Sequence, residues 1–198
     1  MSNPEYWEQK YQEQNTRWDI GQAAPPFVSL LSSGSAPLPG RIAVLGCGRG
    51  YDAVLFAKHG FEVIGFDFAT SAIVEAEKLA KSANCDIKFL QRDIFDLPKD
   101  FIGYFDYILE HTCFCAIDIE RRLSYVEVAS SILKPHGQVI GLFFTHNRPG
   151  GPPFGATPEE IREYFQDNFK IHYLNPVANS VPSRQGEEHL GLFELIGK

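Results

Sequence analysis

A chain of 198 residues, 44% hydrophobic and 13% aromatic, is long enough for one domain with a substantial core and too short for two ordinary ones. Its net charge of −7, with no local block of Lys or Arg, gives no footprint for a phosphate backbone, so nucleic acid is not expected as a partner. No stretch approaches the roughly 18 apolar residues of a membrane span, and the polar start MSNPEYWEQKYQEQ has no apolar leader, which predicts a cytoplasmic protein with no membrane association.

Asn3 followed by Pro4 reads as an N-cap and a proline at the first helical position, and predicts a helix to about Gln14 with Trp7 and Tyr11 on one face. NTRWDIG, residues 15 to 21, breaks it and presents Trp18; Pro25 and Pro26 close this entry segment before a short helix over Phe27 to Leu31. Two readings stand for these aromatics: they staple the helix to the core, or they face a cation such as a sulfonium or ammonium. Residues 1 to 40 are therefore read as a helical, aromatic lid, and residues 41 to 198 as an α/β core within one domain.

The core opens with RIAVLGCGRGYD, residues 41 to 52, an apolar strand running into Gly46, Gly48 and Gly50 and then a helix over 51 to 59. Such a turn exposes backbone N–H groups to a ligand that approaches closely. Its spacing is G-x-G-x-G; the dinucleotide fingerprint wants a further glycine where Tyr51 stands, which disfavours a nicotinamide enzyme. A second strand, 62 to 67, ends in Asp67, a carboxylate able to accept both hydroxyls of a ribose. The helix that follows, over 70 to 83, sets Ile73, Ala76, Ala80 and Ala83 on one face.

A third strand over 86 to 91 leads to Asp93 and Ile94, either a hydrogen-bond acceptor and an apolar wall for a planar base or a simple turn cap before Pro98. A fourth, 104 to 109, delivers Glu110, His111 and Thr112 to the same sheet edge. Asp118 is expected to cap a helix burying Ile119, Leu123, Val126 and Leu133, before a fifth strand over 138 to 145. NRPGGPPFG, residues 147 to 155, is long enough to cover a pocket. Thr157, Pro158 and Glu160 form a capping box for a helix to about 167; strands over 170 to 175 and 190 to 196 flank a polar loop carrying Arg184.

Five strands alternating with helices, then a helix and two strands, predict an open, mostly parallel seven-stranded sheet with helices on both faces and ligand at the strands' carboxyl ends. The four cysteines show neither disulfide density nor a zinc pattern, and the six histidines are scattered, so no metal is expected. Cys113 and Cys115 invite a covalent mechanism, but small side chains buried at a strand's end are the favoured reading.

The collinear set WEQKYQEQNTRWDIG at 7 to 21, VLGCGRGYD at 44 to 52, GFD at 65 to 67, RDIF at 92 to 95, FCAI at 114 to 117, LKPHGQVI at 133 to 140 and GGPPF at 150 to 154 resembles the Rossmann-like class I methyltransferases that use S-adenosylmethionine. Within them it is similar to the thiopurine and thiol or halide methyltransferase family, over nearly the whole chain. The resemblance implies that Gly46 and its loop, Gly48 included, hold the methionine part of the cofactor. It implies that Asp67 binds the ribose and Asp93 with Ile94 the adenine, and that Trp7, Tyr11 and Trp18 close over the cofactor. His111 falls at a cofactor-contacting position where plant relatives carry Tyr, and Tyr11 stands where they carry Trp.

The reaction so implied is in-line transfer of a methyl group to a small soft nucleophile, a thiol first, in a dry aromatic pocket that aligns the reactants. A thiol must also lose a proton, and His111 or Arg184 is the candidate to lower its pKa or take that proton. Halides, thiopurines and tellurite are alternative acceptors, and a non-catalytic S-adenosylmethionine sensor is a rival from another class. A monomer is expected.

Overall fold

The computed structural model describes residues 3–197, whose strands form one seven-stranded sheet in the order β3-β2-β1-β4-β5-β7-β6. The strands are β1 (Arg41–Leu45), β2 (Glu62–Asp67), β3 (Lys88–Gln91), β4 (Phe105–His111), β5 (Leu133–Phe144), β6 (Phe169–Pro176) and β7 (Glu188–Leu195). Strands β1 to β5 pair in parallel, and β7 lies antiparallel between β5 and β6. The helices are α1 (Pro4–Gln12), α2 (Pro25–Leu31), α3 (Tyr51–Lys58), α4 (Thr70–Ser82), α5 (Arg122–Ile132) and α6 (Pro158–Phe165).

Successive residues of a strand face opposite ways, and β1 divides accordingly. Ala43 and Leu45 enter a core with Ile108, Val139, Phe143 and residues of α5 and α6, whereas Ile42 and Val44 enter a second core with residues of α2, α3 and α4. Helices therefore cover both faces, and the middles of the central strands, such as Ile42 to Leu45 and Ile108 to Leu109, are apolar on both because neither face meets water. No helix among the described residues is long and apolar enough to cross a membrane.

The expected helix starts hold where a side chain caps them. The Asn3 side chain accepts from Tyr6 N at 2.9 Å, and Thr157 with Glu160 completes the capping box of α6. Other boundaries need correction. Helix α1 stops at Gln12 because Gln14 takes a left-handed φ of 54°, with Asn15 N donating to Lys10 O at 2.9 Å in a Schellman closure. Pro25 and Pro26 open α2 instead of preceding it, since a proline costs no hydrogen bond in a helix's first turn.

The largest correction concerns α5. Asp118 leads into a single 3-10 turn, Ile119–Arg121, and α5 begins only at Arg122. Its buried stripe is Arg122, Tyr125, Val126, Ala129 and Ile132, while Ile119 and Leu123 are exposed and Leu133 already belongs to β5. Val126 is buried as expected, but Ile119 and Leu123 face solvent because Arg122 and Tyr125 take the core side, and an apolar pattern does not nominate arginine for a core.

Candidate active site

The glycine turn carries φ values of +61° at Gly46 and +52° at Gly48, a region that side-chain-bearing residues avoid. A Cβ at Gly48 would stand 3.1 Å from Tyr11 Oη, so the glycine also lets the lid approach the turn. Beyond it lies a cavity of about 890 Å³ at the carboxyl end of the sheet. Trp7, Tyr11, Trp18, Gly46, Asp67, Asp93, Ile94 and Arg184 all open onto it, and the sequence predicted every one of them as a site residue. Pro152 and Pro153 of the covering loop line it too.

The lid aromatics form a cluster, with Trp18 edge-on to Trp7 at 4.9 Å and to Tyr11 at 5.6 Å between ring centroids. Stapling and cavity lining therefore coexist in the same side chains. Charged groups hold the lid from below. Glu8 accepts from Ser71 Oγ at 2.5 Å and Ser71 N at 3.0 Å in the first turn of α4. Arg49 pairs with Asp19 and Glu75 and donates to Thr16 Oγ1 at 3.1 Å. Asp52 accepts from Ala24 N at 2.8 Å, and Arg184 donates to the carbonyl of Trp18.

Asp67 is 7% exposed and accepts from Gly48 N at 3.0 Å and Ala69 N at 2.9 Å, which fixes its carboxylate at the cavity wall. Burial pushes its pKa up to about 6 against the opposing pull of those N–H groups. Asp93 both caps the turn after β3, accepting from Phe95 N at 3.0 Å, and lines the cavity, so its two readings are compatible.

His111, expected at the cofactor, is set back. Its ring lines a smaller cavity of about 60 Å³ under the glycine turn and not the large one. Its Nδ1 lies 2.6 Å from Asp52, and its Nε2 lies 3.0 Å from Arg184 Nη1 and 3.8 Å from Glu188. Burial works against the imidazolium, but the Asp52 carboxylate outweighs it and pushes His111 up to about 9. At neutral pH the ring already carries the proton a general base would have to accept. The His111 ring is part of a buried chain, Asp52, His111, Arg184 and Glu188, and does not line the large cavity.

Glu110 is likewise not a ligand group. It is buried beneath the site, where it accepts from Cys113 N at 3.0 Å, Phe114 N at 2.8 Å and Tyr125 Oη at 2.5 Å. This shapes the turn that brings Cys113 and Cys115 to the cavity. Burial pushes the Cys115 thiol up to about 12 and raises Cys113 as well, which keeps both protonated and speaks against a nucleophilic role.

Sequence reasoning missed Glu188, the carboxylate that Arg184 reaches at 3.1 Å, and Arg122. Arg122 is 2% exposed and donates to Gly155 O and Phe154 O, each at 2.9 Å, so it holds the covering loop against α5. The i to i+4 spacing of Arg184 and Glu188 was visible, but nothing in the sequence said that the pair is buried.

The thiopurine S-methyltransferase family model matches residues 2–195. The chain is 33% identical to thiocyanate methyltransferase 1 of Arabidopsis thaliana over 96% of this chain and 84% of that protein. It is 24% identical to the thiopurine S-methyltransferase of Psychrobacter cryohalolentis over 96% and 98% of the two chains. Its fold is similar to that of Burkholderia thailandensis 1,6-didemethyltoxoflavin-N1-methyltransferase, solved with S-adenosylhomocysteine, at a TM-score of 0.78 and 18% identity, covering 99% and 92% of the chains. Fold and family together define an S-adenosylmethionine-dependent methyltransferase that acts on small molecules. The chain belongs to the thiopurine S-methyltransferase family.

Proposed function

We propose that this enzyme methylates a small thiol, and that the residues predicted from the sequence divide the cavity into a cofactor end and an acceptor end. The donor set fits S-adenosylmethionine. Asp67 supplies a fixed carboxylate for ribose hydroxyls, Asp93 and Ile94 an acceptor and an apolar wall for adenine, and the bare backbone of Gly46 a close approach for the methionine part. Trp7, Tyr11 and Trp18 offer aromatic faces that attract a sulfonium and exclude water from it. When bound, S-adenosylmethionine supplies a methyl group on a positively charged sulfur, whose bonding pair returns to that sulfur as the acceptor's electron pair forms the new bond.

Arg184 is the observation that carries the acceptor. It is 6% exposed, its guanidinium is anchored by the Glu188 carboxylate at 3.1 Å and the Trp18 carbonyl, and it still opens onto the cavity. A guanidinium so placed stabilises a thiolate and lowers the pKa of a bound thiol, so the thiol gives its proton to solvent water on binding, before attack, and no side-chain base is required. His111 acts here as a positioning residue, through Arg184. A cavity of about 890 Å³ is near the top of the usual small-molecule range of about 300 to 1,000 Å³. It leaves room for an organic acceptor beside the cofactor, which favours thiols over halides.

The reading includes a cytoplasmic monomer of one domain, with residues 1 to 40 as lid. All four cysteines are unpaired, as a reducing compartment requires.

The test is transfer of labelled methyl from S-adenosylmethionine to an aromatic thiol, hydrogen sulfide, a thiopurine, iodide, thiocyanate and tellurite. Thiols are expected to turn over fastest, and Arg184→Gln to lose about ten- to a hundredfold in kcat/KM with its pH profile moved upward. Turnover of halide or thiocyanate alone would overturn the thiol assignment, and cofactor binding without any turnover would favour the sensor.

A further inference from the structure

The cavity lining carries more positive charge than methyl transfer to a simple thiol requires. Four guanidinium groups from four separate segments line it: Arg17 of the lid, Arg121 of the turn before α5, Arg148 of the covering loop and Arg184. Two of these are already answered by carboxylates, Arg184 by Glu188 at 3.1 Å and Arg148 by Glu187, which it grips with both terminal nitrogens. Lys10, also on the wall, lies 3.9 Å from Glu13.

Arg17 and Arg121 differ. Neither makes an ion pair or a side-chain hydrogen bond among the described residues, although both line the cavity. Arg121 is held in place by the face of Phe95, with its Cζ 3.6 Å from the ring centroid. A ring face orients a guanidinium without neutralising it, and leaves the N–H edge available to an oxyanion. Of the three carboxylates that line the cavity, Asp67 and Asp93 are the two assigned above to the cofactor, and Asp118 is the third.

We propose that the acceptor is an organic thiol that bears a second, permanent negative charge, a mercaptocarboxylate in chemical class. Its sulfur lies toward Arg184 and its carboxylate is held by Arg17 and Arg121. The proposal rests on the thiol-methylating reading above. It adds a selectivity device: a carboxylate bridging the lid arginine and Arg121 ties the lid down over an occupied acceptor site, whereas a neutral thiol of equal size does not.

The test separates charge from thiol chemistry. (Methylthio)acetate, the S-methylated product of mercaptoacetate, has no thiol to ionise, so its affinity for the S-adenosylhomocysteine-loaded protein is compared with that of its methyl ester by calorimetry. The acid is expected to bind about tenfold tighter at low salt, with the advantage shrinking as ionic strength rises. In the Arg17→Gln/Arg121→Gln protein the advantage is expected to fall below about threefold. The kcat/KM ratio of mercaptoacetate to its ester is expected to fall by a similar factor, since the difference in thiol acidity cancels between wild type and variant. Equal affinity of acid and ester for the wild type overturns the proposal without need of any variant. So does an unchanged ratio in the variant, or a loss confined to the KM for S-adenosylmethionine, which assigns these arginines to the cofactor carboxylate. Failure of both thiols to accept methyl, with the acid still the tighter ligand, sinks the thiol reading and not the carboxylate site.

Discussion

Asp67 lines the large cavity and His111 the small one, and the two are moved upward by different causes, so pH separates their roles. Asp67 is raised to about 6 by burial, and only its ionised form offers all its lone pairs to ribose hydroxyls. Cofactor affinity is therefore expected to weaken as pH falls through about 6. Asp67→Asn should bind S-adenosylmethionine about tenfold more weakly at pH 7.5 and show no such dependence in a titration series. His111 is held as the imidazolium by Asp52 and reaches about 9, above its ordinary 6.5. A raised pKa means that the folded state holds the proton more firmly than the unfolded chain. The resulting stability is full below 6.5 and disappears as pH rises through about 9. Urea unfolding at pH 6 and at pH 9.5 should show the wild type losing on the order of 1–3 kcal/mol more than His111→Gln across that interval. Equal losses would mean that Asp52 does not hold the proton. The sequence made both residues visible at strand ends, but only the fold shows that one faces the ligand space and the other faces its own charged neighbours.

At the scale of elements, the lid is positioned by what it caps. Glu8 places a carboxylate over the first turn of α4, taking both donors of Ser71 where the helix dipole favours an anion, and Ser71 draws the Glu8 pKa down. Glu8→Ala leaves a helix-terminal N–H without its acceptor, a change worth about 1 kcal/mol. The expected result is severalfold weaker cofactor binding and faster tryptic cleavage at Arg17, in the exposed segment between α1 and α2. Cleavage and affinity identical to the wild type would show that the aromatics alone seat the lid. Elements whose ends carry local chemistry were legible in the sequence: Asn3 and Pro4 started α1, and Thr157 with Glu160 started α6. Where tertiary context decides, reading failed. Arg122 takes a core position because two backbone carbonyls and the ring of Phe114, 4.8 Å from its Cζ, receive it. No pattern of apolar residues anticipates that.

For the molecule as a whole, the apolar continuity of β1 and the βα alternation prescribe a parallel sheet, and the acidic or glycine ends of β1, β2 and β3 locate the ligand edge before any coordinates exist. The charges proposed to serve the acceptor were harder to read, because Arg17, Arg121, Arg148 and Arg184 come from four segments with no common sequence signature and line one cavity only when the lid, the turn before α5 and two late loops fold around it. That dispersion also has a time order. Strand β7 is made after β6 yet lies inside it, between β5 and the edge, so β6 has no partner strand until β7 has left the ribosome. Glu188 begins that same strand and Arg184 immediately precedes it. Every residue proposed for the cofactor is thus synthesised before the charge pair proposed for the acceptor, and because Arg184 also binds the carbonyl of Trp18, the last part of the chain to be made is the part that fastens the first.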